Sequence, residues 1–249
     1  PAKQDQSPRS AARGNRKVAK VLVSFKHKFI FLKTNKTAGT SIEIGLSKFC
    51  GPDDIIPQLL PEDENLRRQL GYRGAHNYVI PFSYYTFSDW WRLIKKRKRR
   101  KFISHMTAKW VRRFLPDDVW NEYFKFAFER NPWDRAVSLY YWKYPEEPRP
   151  SLDEFVFSDE IERLGRKGRG LYSIDGEIVV DKVYRYEDLG DAMADVARRV
   201  GLPEVPELPR AKGKTRPKRK SYRDSLSDKA REHIRAKFAD VIERYNYEF

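Results

Sequence analysis

Two short segments constrain the fold of this chain more than any other feature of its sequence: residues 29–42, FIFLKTNKTAGTSI, and residues 124–138, FKFAFERNPWDRAVS. Each opens on a short apolar run of the kind that forms a buried strand, passes through a polar turn, and continues as a helix. The turn of such a unit lies at the carboxyl end of its strand, the edge at which open α/β sheets bind ligands. A helix that starts there presents unpaired N–H groups and the positive end of its dipole. Two such units in one chain suit a ligand with phosphate at both ends and point to a nucleotide-dependent transferase.

Length and charge set the outer bounds. At 249 residues and 40% hydrophobic the chain can bury a sizeable core, and the simplest organisation is one catalytic domain over residues 18–249 behind a disordered basic tail, residues 1–17. No run of eighteen apolar residues occurs and the first residues lack an apolar stretch, so neither a membrane span nor a signal peptide is read, and a cytoplasmic protein is expected. The one cysteine, Cys50, fits a reducing compartment and a small buried side chain. A net charge of +16 attracts polyanions without choosing among DNA, RNA, an acidic glycan and a nucleotide. The basic run 95–101, KKRKRRK, reads either as a nuclear-localisation-like patch or as a solvated helix end.

Along the chain, strand and helix signals alternate. Residues 51–104 carry Tyr72, Tyr78, Phe82, Tyr84, Tyr85, Phe87, Trp90 and Trp91 among Pro and Gly breaks. They read as a long excursion from the sheet and a candidate acceptor-binding cover, with most of the aromatics packing on the core. A helix is expected over 107–115, stopped by Pro116, and a strand over 123–128. Asn131 and Pro132 supply an N-cap and a first-turn proline. Asp175-Gly176 centres a hairpin over 173–180, followed by a strand over 182–186 and a helix over 188–200 ended by Gly201. A Pro-rich basic loop occupies 203–220, and residues 227–247 read as one terminal amphipathic helix. The alternation predicts an α/β fold of three layers around a central, mostly parallel sheet.

Within residues 33–41, Ala38 and Gly39 let the backbone approach an anion closely, Lys36 adds a point charge, and Thr37, Thr40 and Ser41 add hydroxyls. This is a phosphate loop by composition, but the G-x-x-x-x-G-K-S/T pattern is absent, because Gly39 follows Lys36 and no glycine stands five positions earlier. No well-placed apolar strand ends in a magnesium-holding aspartate either, which weakens the kinase and ATPase readings. Arg130 at a strand end offers a planar fork to a second phosphate, and Ser138 a hydroxyl two turns into the next helix. The four histidines and the one cysteine show no metal-ligand spacing.

These residues resemble the PAPS-dependent sulfotransferases, in particular the carbohydrate-sulfotransferase-like group with many short bacterial members. The resemblance is carried by KTAGTS at 36–41, FAFERNPWDRAVSLY at 126–140, SHMT at 104–107, RYEDL at 185–189 and YNYEF at 245–249. It implies a fold like that of the P-loop-containing nucleotide hydrolases, 3′-phosphoadenosine 5′-phosphosulfate (PAPS) as cosubstrate, 3′-phosphoadenosine 5′-phosphate (PAP) as product, and no metal. By position, Lys36 would contact the oxygen bridging sulfur and the 5′-phosphate, and Thr37, Ala38, Gly39, Thr40 and Ser41 would bind that phosphate. Arg130 and Ser138 would bind the 3′-phosphate, Tyr186 would lie near the adenine, and His105 would be the general base. His76 is the second candidate for the base and Glu43 a carboxylate alternative; His27 and His233 are expected at the surface. The basic stretch 212–220 vaguely resembles a loop that closes over the nucleotide, and no residue is assigned there. The acceptor would be a glycan or another small alcohol or phenol. Two rival readings stand beside this one: a P-loop kinase using ATP and magnesium, and a basic nucleic-acid-binding protein, for which no recognisable module is present.

Overall fold

β1 (Val21–Ser24) turns back into β2 (Phe29–Leu32), and α1 (Gly39–Ser47) follows. The chain forms α2 (Pro61–Gln69), α3 (Phe87–Lys96), α4 (Ala108–Arg113) and α5 (Asp117–Glu122) before it returns as β3 (Phe124–Glu129). Then come α6 (Pro132–Lys143), α7 (Leu152–Val156), α8 (Asp159–Arg169), the hairpin strands β4 (Ser173–Ile174) and β5 (Glu177–Ile178), and β6 (Lys182–Arg185). α9 (Leu189–Arg199), α10 (Asp228–Lys237) and α11 (Ala239–Arg244) complete the order. This computed structural model describes residues 21–102, 105–209 and 221–249. The expected N-terminal tail, Ser104 and the basic stretch 212–220 lie outside the described residues.

The main sheet has the order β1-β2-β3-β6. β1 is antiparallel to β2, whereas β2 with β3 and β3 with β6 are parallel. The protein is therefore mixed α/β with a central, mostly parallel sheet, as the alternation predicts. Side chains alternate between its faces, and both faces are buried, which is why β2 is a continuous apolar run. Leu22, Phe29, Phe31, Phe126, Phe128 and Tyr184 face α1 and α9, meeting Ile42, Leu46, Met193 and Val196. Val21, Val23, Ile30, Leu32 and Ala127 line the other face and meet Val111 of α4 and Trp120 of α5. A third core, around Trp133, Phe155 and Ile234, joins α6, α7, α8, α10 and α11.

Local signals account for several element ends. Asp175 (φ 50°) and Gly176 (φ 95°) both sit in the left-handed region that a two-residue hairpin requires. Gly201 (φ 65°) ends α9, with Leu202 N–H donating to the Ala197 carbonyl at 2.9 Å. Asn131 caps α6: its Oδ1 accepts from the N–H of Trp133 (3.1 Å) and Asp134 (3.3 Å). Its Nδ2 donates to the Glu248 carbonyl at 2.9 Å, so the cap also ties down the end of the chain.

Three expectations need correction. The terminal segment is two helices, because Phe238 leaves helical geometry (φ −121°) and buries its ring in the third core with Ile234 and Val241. The helix expected over 107–115 spans Ala108–Arg113 and ends at Phe114 (φ −106°), and Pro116 holds the N-cap position of the short α5. The excursion over 51–104 stays partly joined to the sheet: Val23 and Ile55 exchange backbone hydrogen bonds at 3.0 and 2.9 Å beyond the β1 edge. Within it Tyr78, Tyr84 and Tyr85 pack on the core, whereas Phe82, Phe87, Trp90 and Trp91 are exposed.

Because Asn131 satisfies two helix N–H groups and the chain terminus together, Asn131→Ala is expected to destabilise the protein by about 1–2 kcal/mol. Denaturant unfolding checks this, and an unchanged midpoint would contradict it.

Candidate active site

The register of the parallel strands decides what meets at their carboxyl ends. Leu32 pairs with Ala127, so β3 runs on through Phe128 and Glu129 beside Lys33 and Thr34. The Thr34 hydroxyl donates to the Phe128 carbonyl and lies 2.8 Å from the Thr37 hydroxyl, which fastens the loop after β2 to β3. Thr37 is fully buried in this arrangement, so its hydroxyl faces inward.

The loop enters α1 through two non-glycine residues in the left-handed region, Lys36 (φ 66°) and Ala38 (φ 55°). Ala38 holds the N-cap position without a side-chain cap, and no acidic residue occupies the first turn. The helix start thus keeps the N–H donors and dipole that favour an anion. Gly39 is required by a close approach: a Cβ there would lie 2.5 Å from Lys33 Cγ and 2.7 Å from Lys33 Cε. The Lys33 side chain crosses Gly39 and reaches Thr40 Oγ1 and Glu43 Oε2, both at 2.9 Å. Lys33 and Glu43 are buried, so this pair forms part of the floor beneath the loop.

Arg130, the first residue after β3, joins this loop to α6. Its Nη1 donates to the Lys36 carbonyl at 2.8 Å and to Ser138 Oγ at 3.4 Å. Its Nε and Nη2 donate to Asp134 Oδ2 at 2.9 and 2.6 Å. The guanidinium lies 4.2 Å from the centroid of the Tyr186 ring, just past the end of β6. Lys36, Arg130, Ser138 and Tyr186 are thereby brought together from three strand ends. At the far end of α6, Lys36 Nζ lies 5.5 Å from the centroid of the Trp142 ring.

A buried network supports this cluster from behind. Glu129, 0% exposed, accepts from the Arg130 N–H at 3.1 Å, from Arg135 Nη1, and from the Tyr172 hydroxyl at 3.0 Å. Burial, reinforced by the Glu129 charge, pushes the Tyr172 hydroxyl far above its ordinary pKa and keeps it a donor. The Asn131 N–H donates to Glu187 Oε1 at 2.8 Å, which draws the segment after β6 against the start of α6.

The candidate bases are separated by the fold. His105 (φ 53°) places Nδ1 3.2 Å from the Lys33 carbonyl, at the phosphate-loop strand end. His76 exchanges backbone hydrogen bonds with Ile56, beside the Val23–Ile55 bridge on β1. Glu43 lies under the loop against Lys33. His27 and His233 are half-buried, with the His233 ring 4.8 Å from that of Phe157. Among the described residues no three His, Cys, Asp or Glu side chains converge on a metal-sized site.

Four further residues shape the site without having been singled out in the sequence: Lys33, Thr34, Glu129 and Asp134. Asp134, in the first turn of α6, stands four residues after Arg130, which precedes the Asn131 cap, so opposite charges close in sequence were the signal for that pair. The charge of Lys33, directly after the apolar run 29–32, and that of Glu129, at the end of the largely aromatic β3, were the available signal for those two.

The model of the sulfotransferase family matches residues 19–248, and the chain belongs to that family. It is also similar to an uncharacterized protein of Archaeoglobus fulgidus, 33% identical over 102 residues that make up 40% of this chain and 85% of the relative. No solved structure matches the chain.

Removing the Glu129 carboxylate would leave Arg135 buried without its counter-charge and Tyr172 without its acceptor. Glu129→Ala is therefore expected to cost about 3–5 kcal/mol in denaturant unfolding, and a loss of less than about 1 kcal/mol would show that the network is not a support.

Proposed function

We propose that this sulfotransferase-family chain moves the sulfuryl group of PAPS to an acceptor hydroxyl, on a carbohydrate or another small alcohol or phenol, and releases PAP. The observation that carries this reading is the convergence of Arg130 on the Lys36 carbonyl, Ser138 and Tyr186. It sets an uncapped helix N-terminus beside an arginine, a hydroxyl and an aromatic ring, the donor set that a nucleotide with phosphates on both its 5′ and 3′ sides needs. The Gly39 crowding and the left-handed Lys36 and Ala38 support the same reading, since they hold the loop backbone in a form that exposes N–H groups to an anion.

In this proposal the N–H groups of residues 37–41 and the Thr40 and Ser41 hydroxyls bind the 5′-phosphate, while the Thr37 hydroxyl is held inward by Thr34. Arg130 and Ser138 hold the 3′-phosphate, and Tyr186 lies against the adenine. His105 accepts the proton of the acceptor hydroxyl while the acceptor oxygen forms a bond to sulfur. The bond between sulfur and the phosphate oxygen breaks, and Lys36 stabilises the negative charge left on that oxygen. The Lys33 carbonyl that meets Nδ1 orients the His105 ring, in the way a backbone acceptor selects a tautomer.

Lys36→Ala is expected to lower turnover by about a hundredfold or more with an unchanged melting temperature. His105→Ala is expected to lower kcat by about a hundredfold while affinity for PAP stays within about threefold. Radiolabelled sulfuryl transfer to a panel of hydroxyl acceptors checks both, and wild-type turnover in either variant would remove that residue from the reaction.

A further inference from the structure

α3 is turned the wrong way round for a helix of a globular protein. With successive side chains advancing by about 100°, Phe87, Trp90, Trp91 and Ile94 fall on one face. A globular fold normally points such a stripe inward; here these residues are 87%, 42%, 61% and 70% exposed, while Asp89 on the opposite face is 1% exposed. Asp89 fixes that orientation. It accepts from the Thr86 N–H at 3.1 Å as part of a capping box and pairs with both Arg100 and Arg113. The apolar face is widened by Phe82, 44% exposed, whose ring stacks on Trp90 at 5.1 Å.

The basic run 95–101 begins in the last turn of this helix, at Lys95 and Lys96, and Arg99 lies 4.3 Å from the centroid of the Phe82 ring. Arg92, Lys95, Lys96, Arg97 and Lys98 pair with no carboxylate among the described residues. Exposed tryptophans beside an aliphatic tip, bordered by unneutralised cations, make the composition of a helix that lies in a membrane interface: rings among the headgroups, charges against anionic lipid. A second copy of the chain suits the face less well, since a two-fold contact would bring the same dense positive charge to the rim of its own interface.

We propose that α3 and the basic run at its end dock this protein on an anionic bilayer surface, with Phe87, Trp91 and Ile94 inserted at the headgroup level. At ten residues α3 is too short to cross a bilayer, so the contact proposed for it lies in the interface. The docking stands independently of the proposed reaction.

Cosedimentation with phosphatidylcholine vesicles, with and without phosphatidylserine, tests this, together with quenching of tryptophan fluorescence by brominated acyl chains. The intact chain is expected to bind the phosphatidylserine vesicles and to be quenched. Phe87→Ser/Trp91→Ser keeps every charge and should bind about tenfold or more weakly at an unchanged melting temperature. Lys95→Glu/Lys98→Glu should lose the preference for phosphatidylserine. Absence of vesicle binding by the intact chain, or equal binding by Phe87→Ser/Trp91→Ser, would overturn the proposal. So would a dimer in sedimentation velocity that this double variant dissolves while lipid binding is absent.

Discussion

The candidate site depends on one bridge: the Arg130 guanidinium donating to the Lys36 carbonyl across the gap between two parallel strands. That bond exists because the Leu32–Ala127 register lets β3 outrun β2, so that the residue after β3 stands beside the loop after β2. A shift of one residue would turn Phe126 and Phe128 to the other face and would part Arg130 from the loop. Core packing thus sets the site geometry. The rings of Phe31 and Phe126 stack at 5.2 Å and those of Phe128 and Tyr184 at 5.4 Å, and with them they hold the strands whose ends carry the polar groups.

Charge is managed differently in front of the loop and behind it. Behind it, Lys33 meets Glu43 and Arg135 meets Glu129, each pair buried, so these charges serve as structural supports, with Glu43 Oε1 and Arg135 Nε and Nη2 left without a hydrogen-bond partner among the described residues. In front, Lys36, Arg130, Ser138 and Tyr186 remain partly accessible. Arg130 is held in its place by Asp134, which orients the fork before any anion arrives. Dense positive charge also stands on the run 95–101 at the end of α3, next to the exposed aromatic face.

Most of the frame was legible from the sequence because its signals are local. The apolar run at 29–32, the Asn131-Pro132 start and the Asp175-Gly176 turn each state their own geometry, and the structure has β2, α6 and the hairpin there. The order of two motifs suggested one ligand for Lys36, Arg130 and Ser138, and the Arg130 guanidinium donates to the Lys36 carbonyl and to Ser138 Oγ. What was not legible is what depends on distant packing. The break at Phe238 follows from a core built by five helices, which no window around residue 238 contains. The exposure of Phe87, Trp90 and Trp91 inverts the ordinary inside-outside pattern, so composition alone pointed the wrong way. Glu129 looked like the polar end of a strand, and its role appears only once Arg135 and Tyr172 reach it from α6 and from the turn before β4.

The central claim is that the ends of β2 and β3, with Tyr186, make one site for a nucleotide bearing both a 5′- and a 3′-phosphate. Calorimetric titration of the intact chain with PAP, set beside ATP with magnesium at a salt concentration that screens non-specific attraction, tests it most directly. The account predicts one-to-one binding of PAP in clear preference to ATP with magnesium. Tighter binding of ATP with magnesium, or no binding of PAP, would contradict it.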